Sequence, residues 1–401
     1  MIVEALTFQL GYNATLVAIG AALLGVSAGV TGTFLFLRKR ALVSDAISHA
    51  TLPGVAVAFM VMTALGIDAR NLPGLLLGSA VSAALGLLTV QRLSSRTRLS
   101  EDAAIGAVLS VFFGFGIVLL TIIQTMATAG QAGLEDLLLG STAGMLFADA
   151  LLIAGGGALA LALVILFRRP MTMAAFDPEF ARASGINLDR TDVIMMGLVM
   201  GVTVIGLKVV GLILIVALLI IPPVTARFWT ERADLVTVIA GTLGGLAGYL
   251  GAAISASAPN LPTGPIIVLT SFALFLISLF FAPARGLVAA GWRHRRFQRG
   301  VHIRQGLLSL AQGQPIYEPL TIRLLKAEGL ARADGVATDA GRARAARALR
   351  DETRWQVARR TPEFELAAAR YDGFTQIEDV LTPDQIAEID IQIGPPKEVT
   401  A

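Results

Sequence analysis

The sequence predicts an all-α polytopic membrane protein with a small polar domain at its C-terminus, and three observations predict it. The first is composition: of 401 residues 55% are hydrophobic and 15% charged, against about 45–50% and about 25% in soluble domains. The second is the placement of charge. Residues 1–283 hold 14 Lys and Arg and 14 Asp and Glu, whereas the much shorter 284–401 holds 18 and 15. The third is periodic interruption: apolar runs alternate with short polar segments, and every second segment is basic. A water-soluble fold is excluded. With no cysteine in the chain, disulfides, thiolate metal sites and thiol catalysis are excluded together.

Runs long enough to cross about 30 Å of hydrocarbon occur near 14–37, 42–65, 72–91, 103–123, 147–167, 234–255 and 265–282. The stretch from Asp192 to Arg227 is too long for one crossing and divides near Lys208, so two short helices packed as a hairpin are expected. The total is nine spans, with eight as the alternative. Basic residues fall at Arg38, Lys39 and Arg40, at Arg92, Arg96 and Arg98, at Arg168, Arg169 and Arg182, at Arg227 and Arg232, and at Arg293, Arg295 and Arg296. The positive-inside rule makes these loops and the tail cytoplasmic and places the N-terminus and the loops near 66–71, 124–135 and 257–263 outside. Residues 1–13 include Glu4 and no basic cluster, so the spans themselves are expected to direct insertion. Residues 124–146, with Glu135 and Asp136, read as an external loop and a short helix.

Inside the spans, Gly241, Gly244, Gly245, Gly248 and Gly251 mark a close helix contact. Pro53-Gly54, Pro222-Pro223 and Pro262 are expected to break or end helices. Asp149 and Lys208 lie near span ends, where their charges are expected to snorkel to the interface.

The most informative stretch runs from Arg40 to Gly54, because Asp45 and His49 stand four apart at the start of an apolar span and therefore share one helix face. A carboxylate there costs about 2.5–3.5 kcal/mol on insertion scales at the bilayer centre, so it should face the bundle, a partner or water. A carboxylate oxygen with an imidazole nitrogen suits manganese, iron(II) or zinc and suits copper(I) poorly. One helix supplies half a site, and two copies facing across a dimer axis would supply two oxygens and two nitrogens. The competing reading has Ser44 and Asp45 capping the helix and His49 as a hydrogen-bonded interior residue. Two facts favour ligands: His49 is the only histidine before residue 294, and few acids lie inside a span. The energy source is elsewhere. A P-loop needs Gly-Lys-Ser/Thr, and Lys39, Lys208, Lys326 and Lys397 precede Arg, Val, Ala and Glu.

Four stretches resemble the membrane permease subunits of manganese/zinc/iron-uptake ABC transporters: Arg38 through Gly54, Phe176-Asp-Pro-Glu-Phe-Ala-Arg-Ala-Ser-Gly-Ile186, Val210 through Ala226, and Leu261-Pro-Thr-Gly-Pro265. The resemblance covers about 280 residues. It implies a transport subunit, not an enzyme, in the bacterial cytoplasmic (inner) membrane with its C-terminus in the cytoplasm. It also implies a dimer of identical or homologous permeases, an ATP-binding subunit that supplies the energy, and an extracytoplasmic metal-binding protein. Asp45 and His49 match the family's proposed metal path, and Phe176, Asp177, Pro178, Glu179, Phe180 and Gly185 match its ATPase-coupling segment. That segment makes physical sense as a short helix, since Pro is tolerated at a first helical position and Asp complements the positive end. No permanently bound cofactor is expected, only transported manganese, zinc or iron(II), with manganese first. The alternatives are an ABC permease for an iron chelate or cobalamin, and a gradient-driven carrier or membrane-tethered regulator.

The domains expected are a permease, 1–283, and a cytoplasmic tail, 284–401. Within the tail, about 303–390 resembles the winged helix of diphtheria-toxin-repressor-type regulators: two helices, a hairpin at Glu328 through Gly335, and a helix opened at Thr338. The tail's histidines, His294 and His302, precede that pattern, which argues against metal sensing by the ligands of such regulators. Arg342, Arg344, Arg347, Arg350 and Arg354 are scattered among acids on several helix faces, so a packing or regulatory domain is expected in preference to a nucleic-acid reader.

Overall fold

The computed structural model describes residues 11–66, 71–125, 145–258, 261–332 and 334–394, with the side chains of 72, 208–210 and 212–213 also outside the description. The chain forms two compact units, Met1–Ala289 and Ala290–Ala401.

In the first unit the helices are α1 (Tyr12–Leu37), α2 (Leu42–Ala64), α3 (Leu72–Arg96), α4 (Glu101–Thr125), α5 (Phe147–Phe176), α6 (Pro178–Ala183), α7 (Leu188–Ala226), α8 (Ala233–Ala256) and α9 (Thr263–Phe281). Helices are what such sequences must form, because hydrocarbon offers no partner to an open N–H or C=O. Among the described residues eight helices are long and apolar enough to cross a membrane, and Leu214–Ala226 is a shorter apolar helix. The expected total of nine, with eight as the alternative, is met among the described residues by eight membrane-length helices and one shorter apolar helix.

That short helix is the second arm of α7. Gly211 (φ 77°, ψ 171°) interrupts the helix three residues beyond Lys208, whose own side chain lies outside the described residues. At the start of α7, Asp192 meets Arg38 from the end of α1. Gly206 lies against Leu24, and Leu219 crosses Gly32. The chain therefore climbs along α1, turns at Gly211 and returns toward the same end. The first arm, Leu188–Leu207, is long enough to span, so only one of the two expected short helices is short. The Gly211 conformation belongs to a region that side-chain-bearing residues essentially do not enter. Gly211→Ala is expected to cost about 1–3 kcal/mol, read as a lower unfolding temperature of the detergent-purified chain.

The helices α1 and α8 pack antiparallel at backbone distance: a Cβ on Gly25 would overlap the Gly244 carbonyl, one on Gly29 the Ala240 carbonyl and one on Gly248 the Ala21 carbonyl. The glycines expected to mark close contact do so. The prolines correct their expectation in part. Pro53 lies within α2 and Pro222-Pro223 within α7, and both helices continue through them; only Pro262 stands at a helix start, that of α9. Asp149 is another correction. It is buried, 6% exposed, and its Oδ2 accepts the Leu146 N–H at 3.0 Å; bonding at the start of its own helix replaces snorkelling. The expected loop carrying Glu135 and Asp136 lies outside the described residues.

Ion pairs gather the basic loops at one end of the bundle. Arg40 meets Glu101 at 2.9 Å and Asp192 at 3.1 Å, Arg168 meets Asp234 at 3.8 Å, and Arg285 meets Glu231 at 2.7 Å. The starts of α2, α4, α7 and α8 therefore share an end with the last turns of α1 and α5.

The second unit contains most of α10 (Leu287–Ala311), then α11 (Pro319–Ala327), α12 (Asp339–Ala358), α13 (Glu365–Ala368) and α14 (Pro383–Ile393). Between α11 and α12 an antiparallel bridge joins Ala331 and Ala337, with Gly335 at φ 87° in the turn, and Thr338 caps α12 by accepting the Gly341 N–H. The α12 helix runs past Arg350 to Ala358. Its core is Trp355, fully buried, which stacks on Tyr371 and donates to the Thr375 carbonyl.

Candidate metal path and coupling segment

Asp45 and His49 share a face of α2, as their spacing requires: Asp45 Oδ1 and His49 Nε2 are 3.3 Å apart. Both side chains are partly accessible, 34% and 19% exposed, and the His49 ring meets the edge of Phe113 from α4 at 4.9 Å. His49 Nδ1 is buried without a hydrogen-bond partner among the described residues. The capping alternative fails. No side chain caps α2, and Ser44 Oγ donates to the Ala41 carbonyl instead of accepting a helix N–H. The alternative of a hydrogen-bonded interior histidine is met on one side only: Nε2 pairs with Asp45, while Nδ1 is bare among the described residues. Pro53 adds to the polarity here: having no N–H, it cannot donate to the carbonyl of His49, four residues earlier.

The pair's separation has chemical meaning. Two ligands at about 2.1 Å from one metal stand about 3.0 Å apart on an octahedron and about 3.4 Å apart on a tetrahedron. The 3.3 Å between Asp45 and His49 falls within that range. No group of three or more acidic or imidazole ligands occurs among the described residues.

The second set of candidate residues forms α6 and its flanks. Asp177 Oδ1 accepts the Phe180 N–H at 2.9 Å, Pro178 occupies the first turn, and Gly185 at φ 81° ends the helix. Ala181 packs under it with Ala174 and Leu188, which leaves Phe176 and Phe180 each 57% exposed. Glu179 lies in the first turn. Two exposed phenylalanines, one ending α5 and one on α6, are an apolar surface that a partner would cover.

The structure connects the two sets through residues read from sequence only as topology signals. Arg38 donates to the Ala174 carbonyl at 2.7 Å and to both Asp192 oxygens at 2.7 Å, and Arg40 joins Asp192 to Glu101. Between them Lys39 has φ 60°, a left-handed turn that reverses the chain from α1 into α2. A clasp therefore ties the turn before α6, the start of α7 and the helix bearing Asp45 and His49. No sequence signal identifies it, because Arg38 and Asp192 are 154 positions apart. Arg38→Ala would leave Asp192, 18% exposed, with Arg40 alone and the Ala174 carbonyl without this donor. A loss of about 2 kcal/mol is expected in thermal unfolding, only partly restored by Arg38→Lys, since one ammonium nitrogen cannot reach Asp192 and the Ala174 carbonyl together as the two guanidinium nitrogens do.

Eight membrane-length helices and a returning half-helix, with Asp45 and His49 paired on one of them, define a polytopic membrane protein of the permease class. The chain belongs to the ABC 3 transport family, which matches residues 12–282. It is 41% identical over 308 residues to the manganese transport system membrane protein MntC of Bacillus subtilis, covering 77% of this chain and 70% of that one. It is 36% identical over 285 residues to the zinc transport system membrane protein TroC of Treponema pallidum, covering 71% and 94%. Among solved structures it resembles PsaBC from Streptococcus pneumoniae in complex with Fab, at 32% identity and a TM-score of 0.62, over 71% of this chain and 98% of that one.

Proposed function

We propose that this chain is the permease subunit of an ATP-driven importer of divalent transition-metal ions, manganese first, then zinc or iron(II). The observation that carries the reading is the Asp45–His49 pair, spaced at 3.3 Å for two donors to one ion, in a chain of the ABC 3 family. Two permeases, identical or homologous, facing each other would complete the shell with two oxygens and two nitrogens. Occupancy must be transient in a path, and partly accessible ligands allow exchange that a buried four-ligand cage would slow.

The Arg38 end of the bundle is cytoplasmic in this reading, since it holds the basic loops, and the C-terminus lies on the same side of the bacterial cytoplasmic membrane. Phe176, Phe180 and the capped Asp177-Pro178 start face the ATP-binding subunit there. An extracytoplasmic metal-binding protein delivers the ion at the opposite end. Motion at α6 reaches α2 through the Arg38 clasp and opens the path. Phe180→Asp is expected to abolish copurification of the ATPase while leaving the permease folded, because a side chain 57% exposed makes few internal contacts.

The tail is a regulatory domain in this reading and not a nucleic-acid reader. Four of its five α12 arginines are engaged by carboxylates: Arg342 by Asp339, Arg344 by Glu328, and Arg350 and Arg354 by Asp390. Deleting 300–401 is expected to leave transport intact and remove its regulation; unchanged behaviour removes the regulatory role. Metal-resolved uptake in cells depleted of the protein tests the whole proposal and ranks the metals.

A further inference from the structure

A cavity of about 420 Å³ opens between α3 and α7 beside the start of α2. Its lining is divided along its length. At the basic end stand Arg40, Gln91, Ser94, Glu101, Asp189 and Asp192; deeper, the walls are Ala84, Leu88, Met196 and Met200. From Ala84 to Ser95 the groove follows α3 for about 16 Å at 1.5 Å per residue. Two wall residues, Leu88 and Val193, are 44% and 60% exposed, so the groove is open on its side. Gly197 lines it as well, and a Cβ there would meet no atom within 4 Å: the space is real and bordered by a residue that leaves it open.

In a bilayer, such a groove is in contact with hydrocarbon. Water finds no partners along its apolar walls, and leaving it empty forfeits dispersion contacts on both sides, so an acyl chain fills it. That chain gives no selectivity, because lipid tails are as apolar as the side chains they replace. Selection falls to the headgroup at the mouth, where Glu101 and Asp192 are held by Arg40 and Arg38 and Asp189 supplies the remaining negative charge. Arg40 is already held between Glu101 and Asp192, while Asp189 is exposed and no cation among the described residues pairs with it. An additional anion would be repelled there and an ammonium attracted.

We propose that the α3–α7 groove binds one zwitterionic phospholipid with a primary-amine headgroup. Its ammonium sits by Asp189, its phosphate faces Ser94 and Arg40, and one acyl chain lies along Leu88, Met196 and Met200. The lipid wedges the first arm of α7 against α3 at the end where the Arg38 clasp lies.

Native mass spectrometry of the full-length protein, extracted from vesicles of equal phosphatidylethanolamine and phosphatidylglycerol, tests this. One phosphatidylethanolamine should be retained. Gly197→Leu, which fills the groove without a clash at Cβ, should lower its occupancy about tenfold, the factor set by displacing roughly two acyl methylenes from the groove. Asp189→Asn should shrink the preference over phosphatidylglycerol, and Gly155→Leu, on exposed and open surface of α5, should change nothing. Equal lipid in wild type and Gly197→Leu, or preferential retention of phosphatidylglycerol, overturns the proposal. So does a Gly197→Leu protein that keeps its lipid yet no longer copurifies with the ATPase, which would make the groove a protein-docking site. If Gly197→Leu does not fold, the Asp189→Asn headgroup preference decides.

Discussion

Asp45→Ala and His49→Ala are each expected to reduce manganese uptake by at least about 100-fold while the protein accumulates in the membrane at its normal level. The magnitude follows from what lesser changes do: removing a group that merely orients a metal ligand costs about 10–100-fold, and here the ligand itself is removed. Normal accumulation follows from exposure. Asp45 is 34% and His49 19% exposed, and among the described residues neither side chain has a polar partner besides the other; His49 gives up one aromatic edge contact with Phe113. Asp45→Asn sharpens the test, because it keeps the size and loses the charge that a divalent ion requires. Radiolabelled manganese uptake at matched protein level is the measurement. A permease for an iron chelate or cobalamin needs no inward ligands, so chelate uptake that survives both substitutions, with no free-ion uptake in the wild type, would replace the metal-ion reading.

The second large effect concerns the scaffold. Gly25→Val or Gly244→Val is expected to cost about 4–5 kcal/mol or more, the range reserved for gross packing failure, and to prevent accumulation of folded protein. At both positions the atom in the way is a backbone carbonyl of the facing helix, which cannot swing aside as a side chain would. The α1–α8 seam must part, and the Gly29–Ala240 and Gly248–Ala21 contacts on the same seam separate with it. Even Gly244→Ala should lower the unfolding temperature, while Gly106→Ala, where a Cβ meets nothing, should not. Equal unfolding temperatures for wild type and Gly244→Ala would mean that the seam is loose.

These glycines show how far sequence reading reaches. Their four-residue spacing revealed a face made for close approach, yet the partner, α1 with its own Gly25 and Gly29, followed from no pattern. The Asp45–His49 pair was legible because helical geometry is local: two residues four apart meet whatever the rest of the chain does. Asp177-Pro178 was legible for the same reason, as both residues act on the first turn of their own helix. The prolines misled because Pro53 and Pro222-Pro223 lie in helices whose neighbours hold them in place, so a local preference for breaking was overridden by packing. The hairpin at α7 was legible near Lys208 because the apolar stretch is too long for one crossing, but hydropathy did not show that its first arm is of full membrane length and only its second is short.

Composition and local spacing alone determined that this chain crosses a membrane repeatedly, that its basic loops alternate, and that one carboxylate and one imidazole share a face, since each depends on residues within a turn or a span of one another. Tertiary structure alone decided that Arg38 and Arg40 clasp Asp192, that the first arm of α7 is long and the second short, that Asp149 is buried, and that a groove remains open between α3 and α7. Those outcomes depend on which helices meet and at what depth. Apolar surfaces of similar size carry almost no label for their partners, so only the packed bundle resolves them.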